Sequence, residues 1–203
     1  MLKINNLLQF MKKLKKTFYL QPDVVQIAKD LLGKVIVTSL NNEGITSGII
    51  VETEAYAGIT DRASHAYGGC RTKRTEIMYM EGGVAYVYLC YGIHSLFNIV
   101  TNKVNIPHAV LIRGIKPLDG IEIMLKRASK KNVTDSIGIG PGNVSKLLGI
   151  HFSQSGESLL GNKIWIEERK FIASPGKIIA SPRIGIDYAK EDAKLPYRFK
   201  VKI

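Results

Sequence analysis

The stretch Ile49-Ile50-Val51-Glu52-Thr53-Glu54-Ala55-Tyr56 places two carboxylates and a tyrosine at every second position, directly after an apolar run. Successive side chains of a strand point to opposite faces, so this alternation predicts a strand with Glu52, Glu54 and Tyr56 on one face. Acids beside an aromatic ring are typical of a site where a carboxylate activates water next to a flat ligand. The pattern also fits a solvated strand face that ends in a turn, because most exposed acids do no chemistry. The strand alone leaves both interpretations open.

The residues around this strand predict an antiparallel sheet. A strand over 34–40 and a turn over 41–44 precede the strand over 45–56, and the two strands would form a hairpin. Further strand-like segments are 84–90, 93–101, 109–115, 164–166, 183–186 and 197–201. Helical spacing of apolar residues occurs over 22–32, 117–128 and 144–148. Because hairpin-connected strands outnumber helices, we expect an α+β fold with a mixed, largely antiparallel core flanked by helices.

The composition indicates one globular domain that binds phosphate. At 203 residues, with 45% apolar residues and a mean hydropathy of +0.03, the chain is of ordinary size and polarity for a single domain. It carries 29 Lys and Arg against 17 Asp and Glu, a net charge of +12. A compact domain this basic most often binds nucleic acid or an anionic membrane surface. Charge alone does not choose between them.

The first residues predict a basic arm. Residues 1–10 contain no apolar stretch long enough to span a membrane and no secretory signal, so we expect a cytoplasmic protein, associated with the nucleoid if its host is a bacterium. Lys12, Lys13, Lys15 and Lys16 follow Met11, which could be the true start. We therefore expect residues 1–16 to form a basic arm, disordered in part, ahead of a domain over 17–203. In a cytoplasmic protein, Cys70 and Cys90 would be reduced thiols.

Tyrosines mark a second hairpin. Tyr86 and Tyr88 share one face of the strand over 84–90, and Tyr91 lies at the predicted tip beside Gly92. Buried strand tyrosines are commonly core residues, and that is the default interpretation of Tyr86. An exposed aromatic at a hairpin tip of a basic protein is a candidate wedge between stacked bases.

Several basic residues are candidates for contacts with phosphate. Arg71, Lys73 and Arg74 form one cluster, and each alone would be read as a solvated surface residue. The glycine-rich run Gly138-Ile139-Gly140-Pro141-Gly142-Asn143 precedes a helix but is not a Walker A motif. Its milder interpretation is a helix capped by Asn143, whose amides and Lys146 hold one backbone phosphate.

A zinc site and a nucleophilic hydrolase site have weak support in the sequence. His65, Cys70, Cys90 and His94 could supply two sulfur and two nitrogen ligands, but no Cys-x-x-Cys knuckle brings a pair together. No Gly-x-Ser-x-Gly motif is present either. We therefore expect neither a metal nor a cofactor.

The order of these motifs resembles the alkyladenine (3-methyladenine) DNA glycosylase family, the purine DNA glycosylases of the mammalian type. The resemblance rests on Val51–Tyr56, Ser64-His65, Gly68-Gly69, Tyr86–Gly92 with Asn98-Ile99, Leu111-Ile112-Arg113 and the helix start at 140–142. It runs from about Phe18 to the C-terminus. The chain departs from the family pattern in composition over 57–64 and in the length of the connection over 102–108, which leaves the substrate range open.

The resemblance implies a base excision repair enzyme that inserts a hairpin into the minor groove and flips a damaged nucleotide out of duplex DNA. Glu54 would be the general base, Arg113 would help to hold the attacking water, and a backbone carbonyl at Ile184 would share that task. The remaining roles carried over from the family fall on residues that contact the DNA: Tyr56, His65 and Tyr88 as walls of the base pocket, Asn98 as a screen for the base, and Tyr91 as the intercalating residue. The resemblance implies that the reaction requires neither a metal nor a cofactor. It also implies that the partner is double-stranded DNA with alkylated or deaminated purines, and we expect the protein to be a monomer.

Two other functions use the same features. A non-catalytic protein that binds damaged or single-stranded nucleic acid could use the tyrosines and the basic surface, but it gains nothing from Glu54. A hydrolase of free nucleosides would need neither an exposed Tyr91 nor a charge of +12. The sequence does not indicate which damaged purines are preferred.

Overall fold

The computed structural model describes residues 11–169 and 176–202. The strands of this part are β1 (Met11–Lys13), β2 (Val35–Ser39), β3 (Ile45–Tyr56), β4 (Ala85–Cys90), β5 (His94–Thr101), β6 (His108–Asp119), β7 (Ile164–Arg169), β8 (Ile179–Ser181) and β9 (Arg198–Lys200). The α-helices are α1 (Lys16–Tyr19), α2 (Val24–Asp30), α3 (Ile121–Ala128) and α4 (Pro141–Leu148). Short 3₁₀ segments are Gly58–Thr60, Tyr67–Gly69, Glu76–Tyr79, Phe152–Gln154 and Asp187–Lys194.

Strand β3 organises the sheet, in which every strand pair is antiparallel. The main order is β1-β7-β2-β3-β6-β5-β4, and β9 pairs with both β3 and β8. One edge of β3 therefore pairs first with β2 and then, over Glu52–Glu54, with β9. The other edge pairs with β6, with irregularities of register on both sides of Glu52. The predicted single α+β domain with an antiparallel core is confirmed.

Helix α2 covers one face of this sheet. The Asp23 side chain accepts hydrogen bonds from the N–H groups of Val25 and Gln26, which satisfies donors that the first helical turn leaves unpaired. The apolar side of the helix joins the main core, together with Ile50 of β3. The Thr53 hydroxyl donates to the Ala28 carbonyl oxygen at 2.8 Å and ties the helix to the strand that carries Glu54.

The first third of the predicted helix over 117–128 is wrong. Strand β6 continues to Asp119, and the helix begins only at Ile121. Gly120 separates the two elements with a φ of 70°, a left-handed conformation that ends the strand.

Two further expectations are wrong. The stretch 183–186 is not a strand, because Gly185 has a φ of 73° and the chain leaves the sheet after Ser181. Asn143 does not cap α4: the N-cap is Gly140, and the Asn143 amide donates to the Ile139 carbonyl oxygen from within the first turn. The predicted strand over 45–56 and its hairpin with β2 are confirmed to the residue at the ends of β3.

Part of the expected basic arm lies in the sheet. Met11–Lys13 pair with Glu167–Arg169 of β7, whereas residues 1–10 lie outside the described part of the chain. Among the helices of residues 11–169 and 176–202, none has the length and apolar character that crossing a membrane requires.

Candidate active site

Glu54 is a fully buried carboxylate at the centre of the candidate site. Its relative exposure is 0%, so the solvated strand face is excluded. Oε2 accepts a hydrogen bond from the Tyr56 hydroxyl at 2.8 Å, and Oε1 accepts one from the Ile184 backbone N–H at 2.9 Å. Arg113 Nη1 lies 3.5 Å from Oε1. Both oxygens of Glu54 are therefore held in a fixed orientation. Glu54 contacts Tyr56 directly and shares Arg113 with Glu52, so the three residues predicted on one strand face are connected.

The environment of Glu54 favours a proton acceptor. Burial raises the pKa of the Glu54 carboxyl, because the low-polarity interior disfavours its charged form. Arg113, the Ile184 N–H, the Tyr56 hydroxyl and Arg183 oppose this rise. A carboxylate whose pKa lies above its ordinary value is a stronger base than an exposed one, yet its neighbours still stabilise the ionised form.

The groups that hold Glu54 line a cavity of about 350 Å³. Tyr56, Arg113 and Ile184 each contact the Glu54 carboxylate and line this space. The volume is within the roughly 300–1,000 Å³ of small-molecule sites. The aromatic residues of the wall are Tyr56, His65, Tyr86, Tyr88, Tyr91 and Tyr188. Such a wall fits a flat ligand.

One wall is a cluster of three rings from β4 and the segment that follows β3. The centroids of His65 and Tyr88 lie 4.6 Å apart at an angle of 72°, and Tyr86 and Tyr88 lie 5.6 Å apart. His65 Nδ1 and the Tyr86 hydroxyl share a hydrogen bond of 2.8 Å. Burial, with a smaller contribution from the charge of Arg74, lowers the pKa of His65 to about 4. His65 is therefore a neutral wall residue at neutral pH.

Asn98 and the tip of the β4–β5 hairpin complete the cavity. Asn98 lines it, and its amide nitrogen donates to the carbonyl oxygens of Tyr86 and Leu96 at 3.1 and 3.2 Å. Tyr91 lies at the tip with a relative exposure of 92%. Both Tyr91 and Gly92 have positive φ angles, as type I′ hairpin turns require. The turn holds the aromatic side chain away from the core and beside the cavity mouth.

Sequence reasoning missed the ion pair that supports this site. Arg183 is bound by the buried Asp61 through hydrogen bonds of 2.5 and 2.8 Å, and it donates to the Ala55 carbonyl oxygen at 2.8 Å. Its guanidinium also lies 4.8 Å from the Tyr56 ring centroid. Arg183 is therefore fixed beside Tyr56, and the backbone that follows it delivers the Ile184 N–H to Glu54. The predicted water contact of the Ile184 carbonyl stays a prediction.

A second residue that the sequence did not single out is Tyr188. It lines the cavity and donates from its hydroxyl to the Ala63 carbonyl oxygen at 3.2 Å. It lies in the 3₁₀ segment Asp187–Lys194, outside the strands and helices that the sequence predicted.

The predicted phosphate-binding residues differ in their contacts. Arg71 is engaged by Glu76 through hydrogen bonds of 2.7 and 2.8 Å and by Asn105 at 3.0 Å, whereas Lys73 and Arg74 are exposed. Lys146 is exposed on α4 and lines a separate cavity of about 500 Å³. His65, Cys70, Cys90 and His94 do not converge, and the described part of the chain contains no group of three or more potential metal ligands.

Comparison with known proteins identifies relatives over nearly the whole chain. The family model described as methylpurine-DNA glycosylase matches residues 17–203. A protein of Chlamydia abortus is 47% identical over 191 residues, which are 94% of this chain and 98% of that protein. A protein of Bacillus cereus strain AH820 is 47% identical over 192 residues, 90% of this chain and 92% of that protein. Both bear the name 3-methyladenine DNA glycosylase.

The first prediction concerns the titration of His65. Because the unfolded chain binds this proton near pH 6.5 and the folded chain only near pH 4, the free energy of unfolding should fall as the pH is lowered between these values. An NMR titration of the His65 ring, assigned with a His65→Gln variant, should give a midpoint near 4. A midpoint near 6.5 would contradict the buried, neutral ring.

Proposed function

This chain belongs to the methylpurine-DNA glycosylase family and is a DNA repair glycosylase, and we propose that it flips alkylated or deaminated purines out of duplex DNA and hydrolyses the base–sugar bond. The observation that supports this proposal most directly is the Glu54 carboxylate, buried behind a cavity walled by aromatic rings. A carboxylate held next to a cavity with aromatic walls fits a reaction at the sugar of an extruded base.

Glu54 is the proposed general base. As the N-glycosidic bond breaks, its electron pair leaves with the base and C1′ gains oxocarbenium character. The Glu54 carboxylate stabilises that positive charge and takes one proton from the water whose oxygen bonds to C1′. Arg113 lines the cavity and lies 3.5 Å from Glu54, so it is positioned to orient that water. The Ile184 N–H keeps Oε1 in place, and its carbonyl is the proposed second contact of the water.

The proposed reaction is simple hydrolysis. Among the described residues that line the cavity there is no lysine, the residue that would form a Schiff base with the sugar. The product is then an abasic site in an unbroken strand. The alternative of a non-catalytic binding protein has no support from the relatives, and a buried carboxylate next to a phosphate-rich ligand would only weaken binding.

Tyr56, His65 and Tyr88 form the proposed base pocket. Stacking between Tyr56 and Tyr88 would attract a cationic alkylated purine through cation–π interaction, on the order of 0.5–2 kcal/mol. Extrusion of a base costs a few kcal/mol and costs least for a damaged or mispaired base. Selection among bases therefore begins before the base enters the pocket. The departures from the family pattern over 57–64 and 102–108 bear on which purines are accepted.

The hairpin tip is the proposed wedge in the DNA. Tyr91 is exposed at the mouth of the cavity, where it can fill the space that the extruded nucleotide leaves in the duplex. Lys73, Arg74 and Lys146 are the proposed phosphate contacts. Arg71 would reach a phosphate only by giving up hydrogen bonds to Glu76. We propose that the protein acts as a monomer in the cytoplasm, at the nucleoid if its host is a bacterium.

Replacement of Glu54 tests the proposed mechanism. Glu54→Gln should still bind lesion-containing DNA but release the base about 10²–10⁴-fold more slowly, because the amide cannot accept the proton of water. Single-turnover release of hypoxanthine and a gel-shift assay measure the two effects. Glu122→Gln, an exposed acid on α3, is the control. Equal rates for Glu54→Gln and the wild type would refute the role of Glu54.

Replacement of Tyr91 tests the wedge. Tyr91→Ala should weaken binding to a lesion duplex by roughly 1–3 kcal/mol, because the stacking that compensates base extrusion is lost. The matched control is Ile45→Ala, an exposed apolar residue beside the tip of the β2–β3 hairpin. Fluorescence anisotropy measures the dissociation constants of the wild type and both variants for the lesion duplex. Normal binding and cleavage by Tyr91→Ala would mean that the tip does not enter DNA.

Replacement of Asn98 tests how guanine is rejected. A pocket that accepts damaged adenine must exclude the 2-amino group of guanine, and the Asn98 side chain is the proposed obstacle. Asn98→Ser and Asn98→Gly should raise release of undamaged guanine relative to hypoxanthine. Single-turnover excision from duplexes that differ only in the target base gives this ratio. An unchanged ratio in folded Asn98→Gly would place the selectivity elsewhere in the pocket.

A further inference from the structure

Glu52 is a second buried carboxylate, two residues before Glu54 on the same face of β3. Its relative exposure is 3%. Three cations converge on its Oε1 atom: Arg113 Nε at 3.4 Å, Arg198 Nη1 at 3.1 Å and Lys200 Nζ at 3.5 Å. These three cations together carry more positive charge than the single Glu52 carboxylate neutralises.

Arg113 lies between the two carboxylates. Its Nε faces Glu52, and its Nη1 faces Glu54 at 3.5 Å. The Nε atom is buried and has no hydrogen bond, although Glu52 is close by. Arg113 therefore divides its charge between the two acids without saturating either one.

A second connection leads from Glu52 to Glu54 through the chain segment after β8. Arg198 donates from Nη1 to Glu52 and from Nε to the Pro182 carbonyl oxygen at 2.8 Å. Pro182 precedes by two residues the Ile184 N–H that donates to Glu54 Oε1. Both groups next to Glu54 Oε1, the Arg113 guanidinium and the Ile184 N–H, are thus linked to Glu52.

We propose that Glu52 is a positioning residue for base release: it holds Arg113 and, through Arg198, the Pro182–Ile184 segment, and thereby sets the orientation and proton affinity of Glu54. The inference rests on the proposed role of Glu54 as general base. Glu52 is called a positioning residue because its proposed effect on Glu54 passes through Arg113 and Arg198.

The direction of the expected pH effect follows from the charges around Glu54. The titratable and charged groups that act on Glu54 are Tyr56 of β3, Tyr88 of β4, Arg113 of β6 and Arg183, which is paired with Asp61. Glu52 shares Arg113 with Glu54 and also binds Arg198 and Lys200 of β9. Removal of the Glu52 charge takes away a nearby like charge and frees Arg113 to pair with Glu54. Both changes favour the ionised Glu54 and lower its pKa.

The test compares the pH dependence of single-turnover hypoxanthine release by the wild type, Glu52→Gln and Glu52→Asp. If Glu54 must be ionised, the rate rises with pH through an acid limb. In Glu52→Gln this limb should move to lower pH, so that the rate on the limb, relative to the plateau, rises about threefold. Glu52→Asp keeps the charge and should keep the wild-type limb. A residue that only stabilises the fold would lower the rate at every pH and leave the limb in place.

Variants at the surface end of the cluster test the inference if Glu52→Gln does not fold. Arg198→Gln and Lys200→Gln remove a cation from Glu52, draw Arg113 away from Glu54 and should move the acid limb to higher pH. If Arg198→Gln and Lys200→Gln fold and their pH–rate profiles keep the acid limb of the wild type, the inference is overturned. Glu54→Gln separates the two claims: if it is inactive while the limbs do not move, only the role of Glu52 is refuted, whereas activity in Glu54→Gln refutes the proposed base itself.

Discussion

The burial of the Glu54 charge is the constraint on which the rest of the site depends. An ionised carboxylate removed from water costs several kcal/mol unless hydrogen bonds and opposite charges replace the lost hydration. The protein supplies three partners from different parts of the chain: the Tyr56 hydroxyl, the Ile184 N–H and Arg113. Each partner also lines the cavity, so the groups that stabilise the buried charge also form part of the cavity wall.

The irregularity of β3 makes this arrangement possible. Because β3 exchanges one neighbour, β2, for another, β9, along the same edge, its second half can carry buried acids on a face that basic residues of β6 and β9 approach. The ion pair between Asp61 and Arg183 secures the segment that has left the sheet. The geometry of the candidate site thus depends on contacts between residues that are more than 100 positions apart in the chain.

The sequence predicted what local pattern determines. The pattern of apolar and polar residues over 45–56 predicted both ends of β3. The pair Tyr91-Gly92 predicted the tip of the β4–β5 hairpin. The prediction of a strand over 183–186 was wrong because Gly185 has a positive φ, which interrupts the extended backbone despite the isoleucines on either side of it. Asp61, Arg183 and Tyr188 were missed because their roles arise only when distant segments meet, and no spacing in the sequence records such contacts. The sequence also did not show whether the face with Glu52 and Glu54 is solvated or buried. In the structure β9 pairs with this part of β3, and the segment after β8 contacts Glu54.

The central claim is hydrolysis of the base–sugar bond by water that Glu54 activates. Its most direct test is the product of a reaction between the purified protein and a duplex with one hypoxanthine, run with and without borohydride. The account predicts free hypoxanthine, an abasic site in an intact strand that breaks only on treatment with alkali, and no protein–DNA crosslink. A borohydride-trapped crosslink or a strand broken by the protein itself would show that an amine, and not activated water, attacks C1′. Tight binding of the lesion without any release of base would contradict the catalytic account altogether.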